Sequence, residues 1–276
     1  MNDDVRALLT PPAFPRSNAY DPAWVLDNNM GPHPLWLMEW LCERVELRPG
    51  MRVLDLGCGK ALTSIFLAKE YRARVWAADW WIGPDNNWKR VIEAGVEDLV
   101  TPLRAEAHAL PFAQGFFDAV VSVDAYQYFG TDDLYLGNLA SFVRPGGPIG
   151  VVVPGLTAPF DEVPAHLLAP QANGKVFWED DCACFHPAAW WEAMWSRSGC
   201  VVSPVAETHT AGWMLWRDFE RALEETGKGL FPSDAEALER DQGRHLGFVR
   251  IAATRSEAPS MNLYAPALGA RFGIDV

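Results

Sequence analysis

The sequence predicts an α/β fold, a doubly wound and mostly parallel sheet of seven strands with an N-terminal helical cap and an inserted lid. Three observations carry this. The apolar run Val53-Leu54-Asp55-Leu56 feeds through Gly57-Cys58-Gly59 straight into a helical pattern. Strand-like and helix-like segments then alternate as far as Val153, which is the signature of parallel βαβ units. Beyond it lie two amphipathic stretches and a last apolar run, Leu246 to Ala253.

The elements follow in order. Residues 1–34 are rich in proline, asparagine and aspartate, yet Tyr20, Trp24, Val25 and Leu26 are interspersed. This is the pattern of an arm of short helical turns laid over another surface. Leu35, Trp36, Met38, Leu41, Cys42 and Val45 share one helical face, ended by Arg48-Pro49-Gly50. After the glycine turn, Leu62, Ile65, Phe66 and Ala68 form the next helical face. A second strand spans 73–78 and closes on Asp79, and a helix runs from Asn87 to Ala94 with Gly95 as its stop. Short strands are expected over 99–103 and 117–123, a helix over 134–142, and a fifth strand over 149–153. Residues 155–185 read as the lid. A helix over 186–198, a strand over 200–205 and helices over 213–225 and 235–244 precede the final strand. The domain is therefore placed at 35–255, with its extra helices at about 213–244 and a tail over 256–276.

Composition narrows the function. With 49% hydrophobic residues the chain can bury a large core. A formal charge of −13 argues against a nucleic-acid backbone or an anionic membrane surface as partner. Five irregularly spaced cysteines fit a reduced, cytoplasmic setting better than a disulfide framework. No basic segment followed by an apolar run opens the chain, and no apolar run approaches the roughly 20 residues of a membrane span. Cys182-Ala183-Cys184-Phe185-His186 offers three metal ligands where a structural zinc site takes four, so no metal is expected.

The glycine turn leaves backbone N–H groups at a helix N-terminus, which suits a polar cofactor. Asp79 ends the next strand 20 residues after Gly59, where an acid can accept from ribose hydroxyls. That pair would also serve a nicotinamide dinucleotide. Against it, Leu62 occupies the place of a dinucleotide loop's third glycine, and Asp55 is unusual in such a loop.

Val53 to Ala61 resembles the first motif of class I S-adenosylmethionine (SAM)-dependent methyltransferases, enzymes of Rossmann-like fold. Asp79 matches that family's ribose-binding acid and Glu106-Ala107 its adenine-edge pair. Phe117 to Ser122 resembles the fourth-strand motif, and Arg144-Pro145-Gly146-Gly147 the turn before the fifth strand. One departure is Ala61, where the family usually has a third glycine. The resemblance implies a cofactor site of Asp55, Gly57, Cys58, Gly59, Asp79, Trp80, Glu106, Ala107 and Asp124. Ser122 to Phe129 is also similar to the matching stretch of cyclopropane-fatty-acid and mycolate methyltransferases, which usually carry a glutamate where Gln127 stands. Gln127 cannot ionise, which weighs against that chemistry. The N-terminal arm and the aromatic acceptor region also look somewhat like bacterial enzymes that methylate an indole carbon in tryptophan-containing cyclic dipeptides.

The acceptor side rests on aromatics, including an unusual 13 tryptophans. Tryptophans at helical spacing, such as Trp190, Trp191 and Trp195, are more often core than pocket, but the region after the fifth strand builds the acceptor site in this family. Tyr20, Met30, Tyr126, Tyr128, Trp178, Phe185, His186 and Trp213 are the candidate acceptor contacts. Tyr20, His33 or a water held by Gln127 are the candidates for a base. The expected function is SAM-dependent methylation of a small, flat, apolar acceptor, aromatic or indole-containing, with an indole carbon as one target and a homodimer left open. The alternatives are N- or O-methylation of another small molecule, cyclopropane-type chemistry, an RNA or protein methyltransferase, an oxidoreductase, and a SAM-binding protein without catalysis.

Overall fold

The central strand β1 (Arg52–Leu56) is buried from its second residue on, because both faces of the sheet are covered. In the computed structural model, which describes residues 1–258 and 262, it lies third in a seven-stranded sheet. The other strands are β2 (Arg74–Asp79), β3 (Val100–Arg104), β4 (Ala119–Val123), β5 (Pro148–Leu156), β6 (Val201–Thr208) and β7 (Leu246–Arg255). Their order is β3-β2-β1-β4-β5-β7-β6. β1 to β5 are mutually parallel, and β7 pairs antiparallel with both β5 and β6. This is the expected doubly wound sheet. The order reverses between β1 and β4, and the crevice at their carboxyl ends is where such sheets bind ligands.

Period-two alternation sends neighbouring side chains to opposite faces. Val53 and Val121 join one core with Leu35, Met38, Ile65 and Phe66, whereas Leu54 and Val120 join the other with Leu136, Leu139 and Trp191. The first core is covered by α3 (Pro34–Leu41), α4 (Leu62–Tyr71) and α9 (Gly212–Thr226), the second by α6 (Tyr135–Ser141) and α8 (Ala188–Arg197). Trp191 and Trp195, one turn apart on α8, are completely buried. They are core residues.

Several boundaries differ from those expected. β5 runs on to Leu156 because β7 pairs with it along its whole length, from Pro148↔Thr254 to Leu156↔Leu246. The helix expected over 87–94 is α5 (Pro84–Glu93), started by a proline whose missing N–H costs nothing in a first turn. The lid contains one short helix, α7 (Ala165–Leu168), and a 3-10 turn at Asp180–Cys184. α10 (Ala235–Asp241) packs on α9 and α7. Apart from 256–258 and 262, the tail lies outside the described residues.

The arm is built from α1 (Asp3–Leu9), a 3-10 turn at Ser17–Ala19 and α2 (Pro22–Asp27). It shares the main core through Val5, Leu9, Phe14, Val25 and Leu26. Glu39 on α3 ties it down by accepting from the Arg16 and Ser17 backbone and the Ser17 hydroxyl. Asn29 donates to the Lys228 carbonyl and Asp27 pairs with Lys228, so the arm also bridges to the chain after α9.

Candidate active site

The loop between β1 and α4 carries three left-handed residues, Gly57 (φ 72°), Gly59 (φ 52°) and Ala61 (φ 63°). Glycine adopts this at no steric cost, whereas alanine gives up roughly 1–2 kcal/mol there. The Ala61 N–H returns to the Cys58 carbonyl at 2.9 Å, which closes the turn. Close approach adds a second constraint. A β-carbon on Gly57 would lie 2.3 Å from the Ala125 β-carbon, and one on Gly59 would lie 3.2 Å from Met30 Cγ. The glycines thus make room for the segment after β4 and for the arm as well as for a ligand.

Two carboxylates hold the loop. Asp79 Oδ2 accepts from the Gly59 N–H at 2.8 Å, and its Oδ1 accepts from the Trp81 and Ile82 N–H groups at 2.8 Å each. Asp55 lies beneath the loop, buried, with the Thr63 and Ser64 hydroxyls donating to Oδ2 at 2.6 Å each. Its Oδ1 has no partner. Burial raises the Asp55 carboxyl from 3.8 to about 6 despite the two hydroxyls, and the Asp79 charge adds to the rise.

Asp124 follows β4 in a left-handed conformation (φ 54°), its N–H donating to the Val152 carbonyl at 2.8 Å. Gln127 is fully buried, and its Nε2 donates to Asp124 Oδ1 at 3.2 Å while its Oε1 has no partner. Burial lifts the Asp124 carboxyl to about 7. Glu106 accepts from the His108 N–H and ring, and the Ala107 carbonyl accepts from Tyr135 at 3.0 Å.

A cavity of about 980 Å³ opens over these groups. Its wall brings together Gly57, Cys58, Gly59, Asp79, Trp80 and Asp124 from the expected cofactor set, and Glu106 with Ala107. Of the expected acceptor contacts, Met30, Tyr128 and Phe185 line it. The others are placed elsewhere. Tyr20 donates its hydroxyl to Glu70 at 3.1 Å and stacks on Trp24. His33 is buried against Trp36 with ring centroids 3.8 Å apart, and its Nδ1 accepts from the Trp36 N–H to cap α3. Burial drops its pKa to about 3, so it is neutral. Tyr126 is packed among Phe129, Tyr135, Trp191 and Trp195. Trp178 packs on Phe160 and Phe185, His186 stacks on Trp190 at 3.7 Å, and Trp213 lies under Arg217.

The wall also contains residues absent from the expected set, notably Phe177, Trp216, Glu220 and Phe231. Trp216 and Glu220 are four apart on α9 and so share a face, while Trp213 falls outside it. That spacing is visible in the sequence. The phase of the helix, set by the buried Trp216, Phe219 and Leu223, is what selects Trp216 over Trp213.

Sheet order and loop define a Rossmann-like α/β fold. A family model described as a methyltransferase domain matches residues 53–147, from β1 to the turn before β5. Among curated relatives, the methyltransferase GfsG of Streptomyces halstedii is 30% identical over 119 residues, covering 42% of each chain. The chain thus spans less than half the length of the curated relatives it matches. Among solved structures, phosphoethanolamine N-methyltransferase 2 of Haemonchus contortus has a TM-score of 0.65 at 17% identity, over 92% of this chain and 60% of that one. The cyclase SpnF has a TM-score of 0.61 at 16% identity, over 84% of each chain. Among the described residues, no helix is long and apolar enough to cross a membrane.

Proposed function

We propose that this chain transfers the methyl group of SAM to a small organic acceptor. One observation carries the reading: the glycine loop, Asp79, Glu106 and Asp124 line one cavity together with aromatic side chains such as Trp80, Tyr128, Phe177 and Trp216. The residues fit the cofactor. Asp55 Oδ1 is a buried acceptor without a donor, beneath the loop that would receive the amino-acid end. Asp79 would hold the ribose and Glu106 with Ala107 the adenine edge, beside Trp80. When bound, SAM supplies a carbon made electrophilic by its sulfonium sulfur.

The chain's own contribution is placement and exclusion of water. Met30 and Pro32 from the arm, and Tyr128 from the segment after β4, border the cavity and would orient the acceptor. Gln127 fixes one Asp124 oxygen, so that carboxylate is the group best placed to receive a proton or order a water. Tyr20 and His33, held by Glu70 and by the α3 cap, serve the arm. Phe177, Phe185, Trp216 and Phe231 supply apolar and aromatic surface, which supports a flat acceptor, and an indole is the reading we favour.

The experiment is methyl transfer from isotope-labelled SAM to a panel of small aromatic and indole compounds, with product detection by mass spectrometry. A labelled methylated product supports the reading. SAM binding without transfer to any compound of the panel would favour a SAM-binding protein without this chemistry.

A further inference from the structure

Resting on that reading, we propose that the acceptor carries a protonatable nitrogen, received in the cavity by the carboxylates of Asp124 and Glu220. The cavity wall bears seven carboxylate residues, Asp79, Glu106, Asp124, Glu179, Asp181, Glu220 and Asp234, against two lysines, Lys60 and Lys175. Three of the seven are already engaged. Asp79 accepts three backbone N–H groups, Glu106 meets His108, and Asp234 pairs with Lys175 at 3.0 Å.

Among the described residues neither Asp124 nor Glu220 forms a salt bridge. The Glu220 charge acts on Asp124, while Glu220 feels Lys175 and accepts from Trp216 and the Asp234 backbone. Both carboxyls are lifted to about 7, chiefly by burial, and for Glu220 the Asp234 charge adds to the rise. Gln127 lies behind the wall and holds one Asp124 oxygen, leaving the other to the cavity. Its side chain is fully buried, its amide lies between Asp124 and the Tyr128 hydroxyl, both on the wall, and its Oε1 lacks a donor. Two wall carboxylates without a salt-bridged cation, in a lining of seven carboxylates and two lysines, match an ammonium group, which has N–H bonds and a positive charge to offer. A carboxylate or phenolate acceptor would be repelled by the same wall.

The aromatic groups fit the same ligand. Trp216 lies one turn before Glu220 with its indole N–H beside that carboxylate, and Phe177 packs edge-on to Trp216 at 5.8 Å. Cations are favoured over such ring faces. The step then balances as follows. The ammonium gives one proton to a carboxylate, and the freed lone pair forms the N–C bond as the C–S bond breaks. The electron pair of that bond stays on sulfur, leaving S-adenosylhomocysteine, and the positive charge passes to the methylated nitrogen.

Calorimetric titration of the protein saturated with S-adenosylhomocysteine tests this with tryptamine, indole and indoleacetate, which share a ring and differ in charge. Tryptamine is expected to bind about tenfold tighter than the other two. Glu220→Gln should remove most of that advantage and leave S-adenosylhomocysteine affinity within about twofold of wild type. If that variant does not fold, Asp124→Asn should show the same loss. No preference for tryptamine, or a preference untouched by the substitution, overturns the proposal. Failure of S-adenosylhomocysteine itself to bind would instead remove the methyl-transfer reading on which it rests.

Discussion

Gly31 lies so close to Asp124 that a β-carbon added to it would sit 2.3 Å from the carboxylate Oδ2. The arm and the end of β4 therefore meet in the site, and the space between them is sized for a hydrogen. Met30 repeats the relation one residue earlier, against Gly59. The arm is a wall of the cavity as well as a cover for the core.

Gly31→Ala should displace either the arm or the Asp124 carboxylate. Overpacking of this kind costs about 1–3 kcal/mol, so SAM affinity or kcat/KM should fall by about tenfold. Steady-state kinetics on the variant check this. Asp124→Ala removes the atom that the added methyl would meet, so a double-mutant cycle with Gly31→Ala should show the two positions coupled rather than additive.

Asp79→Ala removes the acceptor for three backbone N–H groups and the expected ribose contact together. Hydrogen bonds to a charged group contribute about 1.5–3 kcal/mol, so SAM binding should weaken by at least about tenfold. Calorimetric titration measures this. Normal binding by the variant would remove Asp79 from the cofactor site.

Asp55 predicts a pH dependence of stability. Its folded pKa, about 6, is above the usual 3.8, so the folded state binds more protons than the unfolded chain between those values. The associated stability is fully present below 3.8 and is lost as pH rises through about 6. Asp55→Asn cannot titrate, so its stability relative to wild type should rise by roughly 2–3 kcal/mol between about pH 4 and pH 7. Urea unfolding midpoints at the two pH values give the comparison. The same substitution should weaken SAM binding if Oδ1 serves the cofactor's amino-acid end.

Tyr20→Phe separates an arm residue from a catalytic one. The hydroxyl is spent on Glu70, so the variant should keep its rate within about threefold and lose about 1 kcal/mol of stability. A rate loss of about a hundredfold or more, measured under saturating SAM, would return Tyr20 to the chemistry.

That the glycine loop, Asp79 and Glu106-Ala107 line one cavity was legible because it is written in local sequence. Gly57-Cys58-Gly59, Asp79 and Glu106-Ala107 lie at strand ends, and the βαβ alternation alone carries those ends to one edge of the sheet. The acceptor side was legible only in part. Tyr20 and His33 look like site residues in sequence, but Glu70 and the Trp36 N–H claim their polar atoms. Tyr126 and Tyr128 are two apart in a 3-10 turn, and which one is buried depends on α8 packing its Trp191 and Trp195 behind that turn. Glu220 gave no motif. Its place on the wall comes from the phase of α9, which is fixed by contacts with β7 far along the chain.

The measurement that bears most directly on the central claim is calorimetric titration of the purified protein with SAM beside NADH. Saturable binding of SAM at one site per chain, and none of NADH, is the expected result. Binding of NADH in place of SAM, or of neither, would contradict it.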